Sequence, residues 1–186
     1  AKKEEVTRLI EEQGKLTEEL VAQIENAKTI TELDDIYRPY RPKRRTRATI
    51  AKEKGLEPLA LEILAQEKCE GTIEEMAEAF VNEEKDVPDV AAALQGANDI
   101  IAEIISDNAE IRKRVRNLTN IYGTVVSKAS DEEKESVYTQ YYDFSEKVSK
   151  IASHRVLAID RGEKEGFLKV NITVDSIAAI GEIEKI

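Results

Sequence analysis

Apolar residues recur at spacings of three and four along most of the chain, which is the pattern of amphipathic helices. The clearest run follows Pro88, a residue type that is favoured at the first position of a helix. The apolar positions of this run are Val90, Leu94, Ala97, Ile101 and Ile104. The pattern therefore predicts a long helix that begins at Pro88.

Residues that cap helices predict where several other helices begin and end. Thr17 is a candidate N-cap, because a threonine hydroxyl can accept a hydrogen bond from a free N–H of the first turn. The segments Thr31 to Asp34 and Thr72 to Glu75 resemble capping boxes, and each predicts a helix start. Pro39 and Pro42 predict the end of the helix that follows Thr31, because proline cannot continue a helix.

Three further runs with helical spacing complete the helical part of the chain. Gly14 and Gly123 predict the ends of the first and the last of these runs, because glycine is common just beyond a helix. The apolar positions are Val6, Leu9 and Ile10, then Leu59, Ile63 and Leu64, and finally Ile111, Val115, Leu118 and Tyr122. The sequence thus predicts a multi-helix region over residues 1–123.

Strand-like alternation is confined to the last third of the chain. Residues 124–128 favour a short strand, and residues 153–165 fit either a helix or a strand. The most regular alternation places polar residues between Leu168, Val170, Ile172 and Val174. We therefore expect a mainly α fold with a small β element near the C-terminus, and a mixed helix and strand segment over residues 124–186.

Composition sets the class of protein. The chain has 186 residues, of which 41% are hydrophobic and 35% are charged, a balance typical of a globular protein with charged helix faces. This length suits one domain or two small ones. No stretch approaches the roughly 18 apolar residues of a membrane span, so we expect no membrane partner. The chain starts with Ala1 rather than methionine, which suggests a piece cut from a longer protein.

Cysteine usage and the N-terminus indicate the compartment. Cys69 is the single cysteine, so the chain cannot form an internal disulfide, and a reducing cytoplasm fits best. The first residues are charged and lack the apolar core of a signal peptide. We therefore expect a cytoplasmic protein.

The sequence lacks the combinations of residues that catalysis requires. His154 is the only histidine, and nothing marks Cys69 as an activated nucleophile. No phosphate-binding loop or dinucleotide-binding fingerprint is present. The abundant carboxylates lie in exposed helical runs without histidine, which favours a solvated surface over a metal site. We expect no enzymatic activity, no metal and no cofactor.

Charge is strongly segregated along the chain. The chain carries a net charge of −10 and should repel nucleic acid at long range. Residues 38–54, however, contain eight basic side chains against Glu53, a net charge of +7, which leaves −17 for the remainder. We call residues 37–47 the basic segment. Its candidate nucleic-acid-binding residues are Tyr37, Tyr40, Arg41, Lys43, Arg44, Arg45 and Arg47.

Two hypotheses account for the basic segment. Arginine suits phosphate oxygens and tyrosine can stack on bases, which indicates contact with nucleic acid. Alternatively, the arginines pair with acidic helices, for example at Asp34 and Asp35, and fix a turn in place. The spacing of Tyr37 and Tyr40 from Leu33 also allows both rings to belong to the core.

The basic segment also carries a resemblance to a known family. Leu33 to Tyr40, followed by Pro42 to Thr46, resembles the signature of the Tex family of transcription accessory proteins. The resemblance continues over much of the chain, at Ile50-Ala51, Gly55 to Ala60, Ala93-Leu94, Gly96-Ala97, Asp99 to Glu103, Ser153 to Ala158, Arg161-Gly162 and Glu165-Gly166.

The resemblance implies a longer parent protein. In such a parent, a helical N-terminal region precedes a ribonuclease-H-like domain, helix-hairpin-helix elements and a C-terminal OB-fold that binds RNA. This chain resembles only the helical N-terminal region, for which the family has no established active site. We therefore expect a helical scaffold, associated with nucleic-acid binding by its parent, with a weak basic contact at residues 41–47. The alternative is a protein-interaction scaffold that contacts the transcription machinery and never touches nucleic acid.

Overall fold

The computed structural model of the chain describes residues 2–67 and 71–186, and within them it contains ten α-helices and three β-strands. This confirms the expected mainly α fold with a small β element near the C-terminus. The chain forms two compact units, residues 1–109 and residues 110–186. The predicted boundary after residue 123 marks the change from helix to strand, whereas the two units are defined by their compactness. The predicted boundary therefore stays a prediction.

Seven helices lie in the described part of the first unit. They are α1 (Lys2–Glu11), α2 (Glu18–Asn26), α3 (Ile30–Tyr37), α4 (Arg47–Glu53), α5 (Glu57–Ala65), α6 (Ile73–Glu78) and α7 (Val90–Asp107). Short 3₁₀ turns at Arg38–Tyr40 and Glu83–Lys85 join some of them. The first three helices bury a cluster that consists of Val6, Ile10, Leu20, Ile24, Ala27 and Leu33.

The long helix α7 is central to the first unit, because α4, α5 and α6 all pack against it. Its fully buried apolar residues are Ala93, Ala97 and Ile100. Gly96 on the same helix leaves no room for a methyl group, because a Cβ there would collide with Leu56 and lie 3.3 Å from the Cβ of Ala51. Small residues on α7 therefore allow α4 and the start of α5 to approach closely.

Two predicted helix starts are wrong and two are confirmed. Thr17 and Thr72 cap their helices as expected, and Thr72 forms the complete capping box with Glu75. The predicted start at Thr31 is displaced, because Thr29 accepts the capping hydrogen bond from the N–H of Glu32 and α3 begins at Ile30.

The start of α7 also differs from the prediction. Pro88 lies outside the helix, because the carboxylate of Asp89 accepts a hydrogen bond from the N–H of Ala92 at 2.7 Å and makes Asp89 the N-cap. The Asp89 carboxylate satisfies a free N–H of the first turn, which the side chain of Pro88 cannot do. The helix itself is confirmed over Val90–Asp107.

The second unit combines helices with a three-stranded antiparallel sheet. Its elements are α8 (Ala109–Tyr122, which begins at the boundary), β1 (Thr124–Ala129), β2 (Asp143–Lys147), α9 (Ser153–Lys164), β3 (Leu168–Thr173) and α10 (Ser176–Ile183), with a 3₁₀ turn at Thr139–Tyr141. The strand order is β2-β1-β3. The predictions of β1 and β3 are confirmed, and the ambiguous segment 153–165 is helical.

The core of the second unit lies between the sheet and α9. Its buried residues are Tyr138, Tyr141, Ile159 and Leu168. Gly162 on α9 allows this contact, because a Cβ there would lie 2.6 Å from Leu168 and 3.0 Å from the ring of Tyr138. In the described part of the chain, no helix is both long and apolar enough to cross a membrane.

Candidate nucleic-acid interface

The basic segment connects α3 to α4. Helix α3 ends at Tyr37, and Pro39 occupies an early position of the 3₁₀ turn that follows. Beyond this turn the chain has no regular secondary structure until Thr46, whose hydroxyl accepts a hydrogen bond from the N–H of Thr49 and caps α4. The prolines thus prevent one continuous helix and give an irregular segment.

Side-chain contacts hold this irregular segment against the C-terminal part of α7. Asp107, whose side chain is only 12% exposed, accepts a hydrogen bond from Nε of Arg38 at 3.0 Å and forms an ion pair with Lys43. One turn earlier, Glu103 lies 3.6 Å from Nζ of Lys43 and accepts a hydrogen bond from the Thr46 hydroxyl at 3.1 Å. The spacing of four residues places both carboxylates on one face of α7. Cations beside the last turn of a helix also complement its dipole.

Arg41 is held by two contacts near the start of the segment. Its guanidinium lies 3.5 Å from the carboxylate of Asp34 and 5.4 Å from the centroid of the Tyr37 ring. The suggested pairing of the segment with Asp34 is therefore present. Arg41 remains about half exposed, with a side-chain exposure of 51%.

Arg45 and Arg47 form more exposed ion pairs. Arg45 lies 2.6 Å from Glu53, and Arg47 lies 3.7 Å from Asp99. Their side chains are 67% and 85% exposed, so an external anion can reach both guanidinium groups. Exposed ion pairs of this kind contribute about 0–1 kcal/mol each.

Arg44 differs from its neighbours. It is exposed and makes no ion pair with any residue in the described ranges 2–67 and 71–186. It lines a groove of about 370 Å³ between the basic segment and α7. The residues that line this groove are Arg38, Arg41, Lys43, Arg44, Thr46, Glu103, Ser106 and Asp107.

The two tyrosines lie against the apolar cluster of α1–α3. Tyr37 and Tyr40 are half-buried and pack against this cluster. The guanidinium of Arg41 lies over the Tyr37 ring, and Gln13 donates a hydrogen bond to the carbonyl of Tyr40 at 2.8 Å. Both rings therefore have a packing role, whatever other contacts they make.

The residues weighed for catalysis do not form a site in the described part of the chain. His154 lies exposed on α9, and Cys69 falls outside the described residues. Among residues 2–67 and 71–186, no group of three or more histidine, cysteine, aspartate or glutamate side chains could hold a metal ion.

Sequence reasoning missed several residues of this interface. Arg38 was counted in the basic window but was not a candidate site residue, and the role of Asp107 was not anticipated. The sequence signal for the acidic side was the pair Glu103 and Asp107, spaced one turn apart at the end of a predicted helix.

Comparisons with known proteins identify the family. Residues 69–185 match a family model described as Tex central region-like. The sequence resemblance implied an N-terminal region, and this description assigns residues 69–185 to the central region instead.

Three relatives illustrate the similarity. The chain is 47% identical over 174 residues to the uncharacterized protein YdcI of Bacillus subtilis (strain 168), a match that covers 92% of this chain and 24% of that protein. It is 43% identical over 170 residues to the transcriptional accessory protein Tex of Neisseria gonorrhoeae, with coverage of 89% and 22%. A more distant relative is the human S1 RNA-binding domain-containing protein 1, which is 28% identical over 174 residues with coverage of 89% and 17%.

The chain thus spans less than a quarter of the length of these relatives. The family model covers more than half of the chain, and two of the relatives exceed 40% identity over about nine-tenths of it. The chain belongs to the Tex family of transcription accessory proteins.

Proposed function

We propose that this chain is a non-catalytic helical scaffold of a cytoplasmic transcription accessory protein, and that its basic segment adds a weak contact to nucleic acid. The name of the Neisseria gonorrhoeae relative supports the role in transcription, and the name of the human relative supports an association with RNA. The single cysteine is in keeping with a reducing compartment.

The observation that carries the scaffold role is the pairing of Asp107 with Arg38 and Lys43. These contacts join two parts of the chain that are 69 and 64 residues apart in sequence. They help to hold residues 41–46 in place, a stretch in which Pro42 is the only nonpolar residue. The main role of the charged side chains in the basic segment is therefore to stabilise the unit of residues 1–109.

The weak contact relies on the cations that stay accessible. Arg44, Arg45 and Arg47 are exposed, and their contact with phosphate oxygens would carry no base information. The net charge of −10 opposes the approach of nucleic acid, so binding should be weak and independent of sequence.

A charge-reversal variant tests the nucleic-acid part of the proposal. Glutamate at positions 44, 45 and 47 should abolish binding of the chain to single-stranded RNA, with little change in the free energy of unfolding. The matched control reverses three exposed lysines elsewhere, at positions 15, 150 and 169, and applies the same change in net charge. Binding that falls equally in both variants would reflect overall charge and would count against a local contact.

Lys43 is a separate case. Lys43→Glu places a third carboxylate beside Asp107 and Glu103, so it should lower stability as well as binding. This variant therefore reports on the scaffold and should not be combined with the exposed arginines in a binding test.

A second candidate function is a protein-interaction scaffold, and exposed apolar residues on the second unit favour it. Helix α10 has no buried residue, and Ile177 and Ile180 are 82% and 53% exposed. If the variant at positions 44, 45 and 47 binds RNA like the unchanged chain, or if neither binds, this candidate becomes the better account.

A further inference from the structure

The groove between the basic segment and α7 combines fixed cations with open space. It measures about 370 Å³, near the lower end of ordinary ligand pockets. Four cationic and two anionic side chains line it, which leaves a formal excess of two positive charges. We propose that this groove is a phosphate-binding subsite, in which Arg38, Arg41 and Arg44 hold one phosphate group of a nucleic-acid backbone. This inference rests on the proposed nucleic-acid contact and assigns it to a defined site.

The two carboxylates of the groove do not favour a cation there. Lys43 pairs with both Asp107 and Glu103, and Nε of Arg38 contacts Asp107, so two cations compensate the two carboxylates from within. The groups left for a ligand are Arg41, Arg44 and the terminal amino groups of Arg38. An anion is therefore the occupant that the charges favour.

Arg38 is oriented for a ligand by Asp107. The contact with Asp107 uses Nε, which leaves the two terminal amino groups of Arg38 for another acceptor. A guanidinium held at one edge presents its remaining N–H groups in a fixed geometry, which suits the oxygens of a phosphate. Asp107 is in this respect a positioning residue.

Arg41 and Arg44 complete the subsite in different ways. Arg41 is held over the Tyr37 ring and beside Asp34, so it loses little further freedom when a ligand binds. Arg44 has no ion pair among the described residues, and a phosphate would not have to displace an internal partner from it. Ser106 of α7 also lines the groove.

The test compares Arg44→Ala with Lys15→Ala in the 186-residue chain. Both side chains are exposed, but only Arg44 lines the groove. The probe is a fluorescein-labelled, single-stranded RNA of mixed sequence, titrated by anisotropy at several salt concentrations. Arg44→Ala should weaken binding about three- to tenfold and reduce the log–log salt slope by about 0.7, the value for one phosphate contact on a single strand. Lys15→Ala removes the same charge outside the basic segment and should weaken binding by less than about twofold.

A third variant tests the geometry of the site. Arg38→Lys keeps the charge and loses the planar fork, so it should also weaken binding severalfold. Urea unfolding shows whether each variant is folded, and Arg44→Ala should match the unchanged chain because no internal ion pair is lost. The same ranking should hold on single-stranded DNA of the same sequence, because both backbones present phosphate.

The outcomes separate the subsite from the proposed function. Equal weakening by Arg44→Ala and Lys15→Ala would overturn the subsite and leave an effect of overall charge. A ranking that depends on base sequence would overturn it as well, because a phosphate group carries no sequence information. Failure of the unchanged chain to bind RNA at low salt would overturn both the subsite and the proposed nucleic-acid contact.

Discussion

Replacement of Asp107 by asparagine isolates the contact that holds the basic segment to α7. Asparagine has nearly the same shape as aspartate but lacks its negative charge. Its amide would also place an amino group toward the two cations that Asp107 pairs with. The carboxylate is 12% exposed, while the side chains of Arg38 and Lys43 are 44% and 30% exposed. Asp107 is thus better shielded from water than either of the two cations it pairs with.

The expected cost follows from these exposures. Loss of one partner of a fully buried ion pair costs about 3–5 kcal/mol, and loss of a surface pair costs about 0–1 kcal/mol. Because Asp107 is nearly buried and both cations are partly solvated, we expect Asp107→Asn to lower the free energy of unfolding by about 2 kcal/mol. With a denaturant slope of about 2 kcal/mol per molar, the urea midpoint should fall by about 1 M.

Urea unfolding followed by far-ultraviolet circular dichroism measures this change, since the chain has no tryptophan to report by fluorescence. Asp99→Asn is the matched control, because Asp99 lies on the same helix with 16% side-chain exposure but pairs only loosely with Arg47 at 3.7 Å. The control should cost about 0.5 kcal/mol or less. Equal losses for the two variants would refute the reasoning, because the pairing with Arg38 and Lys43 would then contribute nothing specific.

Three further predictions concern the core, the pH dependence and the chemistry. Gly96→Ala should destabilise the chain by about 1–3 kcal/mol in urea unfolding, because the methyl group meets Leu56, whereas Gly181→Ala has open space and should not destabilise it. Burial, and then a hydrogen bond to Glu165, raise the pKa of Tyr138 above its ordinary value of 10.0. The stability that the neutral hydroxyl contributes is therefore present below pH 10.0 and is lost as the pH rises through the raised pKa. The difference in the free energy of unfolding between the unchanged chain and Tyr138→Phe should shrink at alkaline pH, and a constant difference would contradict this cause. Assays for nuclease, ATPase and peptidase activity, with and without divalent metal, should detect no turnover, and a turnover that His154→Ala or Cys69→Ala abolishes would contradict the non-catalytic account.

The helices were predictable because their signals are local. Spacings of three and four predicted α7, and capping residues predicted several helix starts to within a few residues. The fully buried face of α7 was predicted only at Ala97, since Ala93 and Ile100 beside it are buried by the close approach of other helices around Gly96. That approach depends on partners distant in sequence.

One strand was missed for a similar reason. Strand β2 has the sequence Asp143-Phe144-Ser145-Glu146-Lys147, in which Phe144 is the only apolar residue, so no alternation marks it. It is a strand because it pairs with β1, with Phe144 opposite Ser127. Such pairing is a property of the folded chain and leaves no pattern in the segment itself.

The basic segment was identified from charge alone, but its partners were only partly predictable. Asp34 was suggested because it is nearby in sequence, and it does pair with Arg41. Asp107, which pairs with Arg38 and Lys43, is more than 60 residues away and becomes a neighbour only when α7 packs in the first unit. Charge segregation therefore identifies the basic segment as a candidate site, while the fold determines which of its cations remain accessible to solvent.

The salt dependence of RNA binding by the unchanged chain tests the proposed function most directly. If three or four phosphates are neutralised at the exposed arginines and the groove, the log–log slope on single-stranded RNA should be about −2 to −3, with a dissociation constant no tighter than about 10⁻⁶ M at physiological salt. A flat slope, or no binding at low salt, would contradict the proposed contact and leave the chain as a scaffold for protein partners.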